Sequence, residues 1–300
     1  MKQHFHSNGK LLLSGEYVVL DGATALAIPT KYGQSLIVET TDAEGIQWQS
    51  FNEKGQLWFE DFFNVKDLTF NKPDNTISKT LAEILKTARI LNPEFLSEAK
   101  GFSIKNQLDF PRNWGLGTSS TLINNIAQWA KVDAFKLLQE SFGGSGYDIA
   151  AAQNDSPILF QLKNEQPIIK KVSFDWDFTD QLFFVYLNQK QDSKEGITRY
   201  KSTKISEEQL TEINSLSQKL LSVNTLSSFE KLLQQHERIV SEIIKLPSIK
   251  DQLFNDYTGT IKSLGAWGGD FVLATSTSAE MNYFKKKGFE TIIPFEEMIK

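Results

Sequence analysis

Three hundred residues, 40% hydrophobic and 12% aromatic, are enough to bury a core of one large domain or two ordinary ones and exclude an intrinsically disordered chain. A formal net charge of −5 leaves no general basic field for nucleic acid or an anionic membrane, so any phosphate must be held by local groups. The absence of cysteine removes disulfides, thiolate metal sites and a cysteine nucleophile.

The run Leu11 to Leu13 behind Lys2 is too short for a signal-peptide core, because Ser14, Gly15, Glu16 and Asp21 interrupt it. No later stretch approaches the roughly 18 apolar residues of a spanning helix. A cytoplasmic protein is therefore expected. In chain order, LLLSGEYVVL, ATALAIP and QSLIVETT read as strands about a turn at Asp21-Gly22. The alternating aromatics of residues 46 to 70 continue the strand pattern. Ile77, Leu81, Ile84, Leu85, Ala88 and Leu91 repeat at helical spacing, with capping candidates from Asp74 to Thr76.

The strand GFSIKNQLDF leads through PRNWGLGTSS into the helical pattern TLINNIAQWAKV. A short helix over 134–142, a tight connection FGGSGYD and a strand ILFQL follow, and a domain boundary is expected near 165. Beyond it the pattern predicts strands at 168–174 and 182–187, then helices at 206–222, 226–245 and 249–262. The strand FVLAT, a helix over 278–287 and the strand FETIIPF end the chain, making an α+β layer.

Three glycine-rich segments stand out. In Gly115-Leu116-Gly117-Thr118-Ser119-Ser120, glycines permit close backbone approach and hydroxyls meet the first turn of a helix, a corner suited to phosphate and Mg²⁺. An ordinary glycine turn with Ser/Thr capping explains the same residues, and the segment is neither a Walker A nor a dinucleotide fingerprint. Gly143-Gly144-Ser145-Gly146-Tyr147-Asp148 ends in an acid that either takes a substrate proton or simply caps a helix. Gly265-Ala266-Trp267-Gly268-Gly269-Asp270 either closes over a ligand or is a helix C-terminal turn. His4, His6 and His236 make no helical pair, which disfavours a histidine metal site.

Taken in order, GKLLLSGEYVVLDG, GLGTSS, GSGYDIA and LGAWGGD resemble the ordered motifs of the GHMP kinase superfamily, with GYDIA at Gly146–Ala150. The superfamily includes galactokinase, homoserine kinase, mevalonate kinase and phosphomevalonate kinase. The anchored motifs run from Gly9 to Asp270, while 46–110 and 190–260 match by layout alone. The resemblance implies an α+β chain of two domains. An N-terminal ATP-binding domain of the ribosomal protein S5 domain 2 type would span 1–165, and a ferredoxin-like domain 166–300.

By position in the motifs, the resemblance assigns Asp148 and Lys10 as catalytic: the acid that accepts or orients the substrate hydroxyl, and the lysine that neighbours it. It gives Gly115, Leu116, Gly117, Thr118, Ser119 and Ser120 to the phosphates of ATP. Thr118 and Ser119 would reach Mg²⁺, with Glu140 as a further metal ligand although it stands about one turn later than in the family. Glu16, Tyr17, Ser145, Gly146, Gly268, Gly269 and Asp270 are assigned to substrate. Trp267 departs from the family, which usually has glycine there. Lys190, Ser193, Lys194 and Arg199 form a cationic stretch suited to a phosphorylated substrate or to solvent.

The function so implied is phosphorylation of a metabolite of the mevalonate pathway, with Gly15-Glu16-Tyr17 and Gly268-Gly269-Asp270 favouring phosphomevalonate slightly over mevalonate. A diphosphomevalonate decarboxylase-like lyase and a non-catalytic small-molecule binding protein are the alternatives on the same scaffold. The expected partner is a small-molecule substrate, without nucleic acid or membrane, in a monomer or homodimer.

Overall fold

The computed structural model describes every residue except Glu98, Ala99 and Asp192, with Ser193 and Lys194 described by backbone alone. The chain forms two compact units that interleave in sequence. The first holds Met1–Gly9, Tyr32–Arg112 and Gly117–Gln153; the second holds Lys10–Lys31, Asn113–Leu116 and Asn154–Lys300. Strands β1 (Lys2–Ser14) and β2 (Ala25–Thr41) contribute residues to both.

In the first unit, β3 (Gly45–Phe51) and β4 (Leu57–Phe63) precede α1 (Thr76–Leu91) and β5 (Gly101–Leu108). Then come α2 (Thr118–Ala130), α3 (Ala134–Ser141) and α4 (Tyr147–Ala152). The sheet order here is β4-β3-β5-β2, with β3 and β5 parallel and the other pairs antiparallel. Phe102, Ile104, Asn106 and Leu108 alternate inward along β5, the period of a half-buried strand. The core joins Leu36, Val38, Ile46 and Trp48 of the sheet to Leu81, Ile84 and Leu85 of α1 and Ile123 and Ile126 of α2. Helix α1 starts where its sequence says it should, because Asn75 Oδ1 accepts the Ile77 and Ser78 N–H groups.

In the second unit, the first residues of β2 pair with β6 (Ile158–Lys163), which pairs with β7 (Gln166–Lys171). The β6–β7 turn is Asn164-Glu165, at φ 50° and 60°. Two left-handed residues are what a two-residue hairpin of type I′ requires. Residue 165 therefore lies within a hairpin, and the compact units do not meet at one cut there. A four-stranded sheet with its helices follows, in chain order β8 (Leu182–Tyr186), α5 (Ser193–Lys201), α6 (Glu207–Lys219), α7 (Leu226–Ile244) and α8 (Ile249–Leu253). Then come β9 (Ile261–Ser263), β10 (Phe271–Thr275), α9 (Asn282–Lys286), β11 (Ile292–Pro294) and α10 (Phe295–Met298). The antiparallel order β11-β8-β10-β9, with helices after β8 and β10, is the ferredoxin-like pattern.

Three expectations change. The strand expected to reach Leu20 stops at Ser14, and Val18–Asp21 form a 3₁₀ turn closed by Gly22. Gly15 at φ 88° and Tyr17 at φ 63° turn the chain out of extended backbone, and a Cβ on Gly15 would lie 2.8 Å from Ala25. The helix expected over 249–262 is five residues long and gives way to β9. Helix α5 was not expected, since its polar sequence with Gly196 inside carries little apolar periodicity.

Two substitutions separate capping from packing in the first unit. Asn75→Ala should cost about 1 kcal/mol in urea unfolding. Ile84→Ala should cost about 2–5 kcal/mol, because a buried aliphatic chain leaves a cavity.

Candidate functional site

In the first unit, two helices open without a side-chain cap. Helix α2 begins after Gly117, at φ 91° and ψ 41°, and no side chain bonds its first-turn N–H groups. A left-handed N-cap is open to glycine, and the uncapped donors with the helix dipole favour an anion. Thr118 is half-buried and Ser119 exposed. Ser120 is buried, and its hydroxyl donates to the Gly117 carbonyl at 2.9 Å, so its side chain closes the helix turn instead of facing a ligand. Helix α4 opens in the same way after Gly146, at φ 88°, and carries Asp148 half-buried in its first turn. A Cβ on Gly146 would stand 2.9 Å from the Phe135 ring, so this glycine serves the packing of α4 on α3. Ser145 is half-buried beside it.

A hard cation that keeps most of its waters needs only one or two protein oxygens, which the Thr118 and Ser119 hydroxyls supply at the α2 start. Glu140 is exposed at the end of α3. Among the described residues no three carboxylate or histidine groups converge on a metal position. The donor set fits Mg²⁺ held chiefly by phosphate and water, and does not form an all-protein cage.

In the second unit, Lys10 Nζ donates to the Gly115 carbonyl at 3.0 Å, and the Lys10 N–H to the Leu116 carbonyl at 3.0 Å. Gly115, at φ 68°, lies against the Asp270 carboxylate, where an added Cβ would come within 2.2 Å. Burial pushes the Asp270 carboxyl up, while the charges of Lys10 and Lys190 oppose that rise. Leu116 is fully buried and offers backbone alone. In the late loop Gly269 serves the protein itself: a Cβ there would meet Gln189 O and Gln191 N at 2.9 Å. Asp270 holds the same segment, donating its N–H to Gln189 O at 2.7 Å. Trp267 is buried in a cluster with Tyr17 and Tyr200, and its backbone N–H donates to the Tyr17 hydroxyl at 2.9 Å. Of the cationic stretch, Arg199 faces Glu195 at 3.8 Å, and the side chains of Ser193 and Lys194 lie outside the described residues.

Glu16 is placed where no substrate reaches. It is 1% exposed, and its Oε1 accepts from Lys262 Nζ, itself 0% exposed. Lys262 also faces Glu237 at 3.1 Å. His236 Nε2 accepts the Gly15 N–H at 3.0 Å, so the imidazole is neutral, and burial and Lys262 hold its pKa well below the usual range. Two carboxyls thus share one ammonium without solvent, and desolvation pushes Glu16 up to about 7 and raises Glu237. Glu16 Oε2 lies 3.3 Å from His236 Nε2, whose lone pair the Gly15 N–H already takes. Sequence reading overlooked Lys262. Its one signal is a lysine inside the short apolar run ahead of the late glycine loop.

No family model and no curated protein matches the sequence. Solved structures do match. A Methanococcus jannaschii mevalonate kinase is 16% identical with a TM-score of 0.72, covering 98% of this chain and 97% of that one. A Streptococcus pneumoniae phosphomevalonate kinase, in complex with phosphomevalonate and AMPPNP, is 16% identical with a TM-score of 0.68, covering 97% and 99%. A Lactococcus lactis galactokinase complexed with galactose is 14% identical with a TM-score of 0.66, covering 95% and 88%. All three are small-molecule kinases, and the likeness defines the class of fold. It is the two-domain α+β fold of the GHMP kinase superfamily.

The Glu16 carboxyl makes stability depend on pH with a definite sign. Its folded pKa, near 7, lies above its ordinary value, so the folded state holds the extra proton between roughly pH 4.5 and 7. The Glu16 contribution is fully present below that window and is lost as pH rises through it. Glu16→Gln, which keeps an acceptor for Lys262 and removes the titrating proton, should flatten the dependence. Urea unfolding at pH 5.5 and 8 measures this; equal slopes in the two proteins would rule it out.

Proposed function

We propose that the chain is an ATP-dependent small-molecule kinase acting in the mevalonate pathway, with phosphomevalonate slightly preferred over mevalonate as substrate. The observation that carries the reading is the α2 start: a left-handed glycine, no side-chain cap, and the hydroxyl residues Thr118, half-buried, and Ser119, exposed, in the first turn. The fold shared with phosphomevalonate and mevalonate kinases supports the class. The Gly15-Glu16-Tyr17 and Gly268-Gly269-Asp270 motifs support the substrate lean through their order in the chain, not through direct contact, since Glu16 is buried.

In this reading the N–H groups of Thr118 and Ser119 bind the phosphates of ATP, with the helix dipole adding to the attraction. Thr118 and Ser119 would hold Mg²⁺, which when bound spreads the negative charge of the transferring phosphoryl group. Asp148 accepts or orients the proton of the attacking oxygen, and Lys10 lowers the cost of charge developing there.

An ADP-release screen over mevalonate, phosphomevalonate, homoserine and galactose, with Mg²⁺ varied, ranks the substrates by kcat/KM. Carbon dioxide released together with ADP would point to the lyase, and ligand binding without ADP to a binding protein. Asp148→Asn should retain ATP binding and lose turnover by about 10²-fold or more. Near-normal turnover would sink the catalytic assignment.

A further inference from the structure

The first unit carries a run of buried amides and hydroxyls that hydrophobic packing does not explain. It begins at Gly117, whose carbonyl accepts the Thr121 N–H at 3.0 Å. The Thr121 hydroxyl donates to Gln34 Oε1 of β2. Gln34 Nε2 in turn donates to Asn106 Oδ1 of β5 at 2.8 Å. One turn further along α2, Asn125 Nδ2 donates to the Gln34 carbonyl at 2.9 Å. Ser7 of β1 links the two asparagines of the helix: its hydroxyl donates to Asn125 Oδ1 at 2.7 Å and accepts from Asn124 Nδ2 at 2.8 Å. Finally, Gln153, the C-cap of α4, donates Nε2 to Asn124 Oδ1 at 2.9 Å.

Ser7, Gln34, Asn106, Thr121, Asn124 and Asn125 are each no more than 2% exposed, and none of their buried side-chain polar atoms lacks a partner. Burying so many amides has a desolvation cost that the hydrogen bonds only offset, and asparagine is a poor helix former. What such a satisfied network gives is a single geometry, because any shift of one member orphans the next. Its two ends are the helix that starts at Gly117 and the helix that carries Asp148.

We infer that this network is a positioning device, tying the α2 start and α4 into one body so that the phosphate donors and Asp148 keep a fixed relation. Its catalytic consequence rests on the kinase reading above, whereas the mechanical coupling does not. Gln153 is the informative member: it is exposed, so its truncation lets water take the place of Nε2 at Asn124 Oδ1 while every other bond of the network stays.

Two readouts on the full chain decide the matter. Hydrogen exchange of the free protein reads the tether: Gln153→Ala should speed exchange of the α4 amides several-fold, with the Tm nearly unchanged. Turnover with the best substrate of the screen reads the consequence: kcat should fall about three- to tenfold while the KM for ATP stays within twofold. Gln153→Lys, which keeps a donor toward Asn124 Oδ1, should recover both, and Gln153→Glu, which sets acceptor against acceptor, should recover neither. Unchanged exchange in Gln153→Ala overturns the coupling, and faster exchange with wild-type kcat overturns the positioning role. A wild-type chain that releases no ADP with any acceptor overturns the kinase reading and with it the catalytic consequence; the exchange result still decides the coupling.

Discussion

A lysine ammonium that water does not reach has to be neutralised by groups equally removed from water, and Lys262 imposes that constraint on the second unit. Its partners come from distant parts of the sequence, Glu16 from the turn after β1 and Glu237 from α7. Holding Glu16 fixes its neighbours: Gly15 gives its N–H to His236, and Tyr17 stacks on Tyr200 while accepting the Trp267 N–H. The late loop is thereby attached to the turn after β1. At its far end Asp270 reaches Gly115, to whose carbonyl Lys10 donates. Breaking a buried pair by removing one partner typically costs about 3–5 kcal/mol, although an apolar replacement of the whole group is often neutral. The cluster thus specifies an arrangement more than it adds stability.

The first unit fixes its geometry with uncharged groups. The amides of Gln34, Asn106, Asn124 and Asn125 do for α2 and α4 what Lys262 and its carboxyls do for the early turn and the late loop. The chemical difference matters. Amides do not titrate, so the placement of the α2 start and Asp148 is insensitive to pH, whereas the Glu16 cluster exchanges a proton near neutrality.

The strands and the longer helices were legible because their burial is periodic, as in β5 and α1. The glycine segments were legible as places of close approach, but not what approaches. For Gly269 it is the backbone of residues 189–191, and for Gly146 it is Phe135. Glu16 reads as a motif acid in sequence and sits in the interior only because Lys262, 246 residues further on, neutralises it. Such pairings have no local signature. The adjacent Asn124 and Asn125 did carry one, two polar side chains on a helix otherwise patterned for the core, though their partners on two strands and at the α4 C-cap are visible only in the fold.

Those placements narrow what each motif can contribute to chemistry. In the late loop Gly269 is accounted for by the close backbone of residues 189–191, Trp267 fills core space, and the same segment holds Asp270. Asp270, with φ 56°, is a strained position for a side-chain-bearing residue, and its carboxyl loses solvation without gaining an ion pair among the described residues. Lys10 and Lys190 both act on it electrostatically. The charge of Lys10 is thus already engaged by Asp270, and its ammonium by the Gly115 carbonyl. A cation so held is fixed in place before further negative charge arrives, which suits a group whose proposed task arises only as the attacking oxygen gains charge.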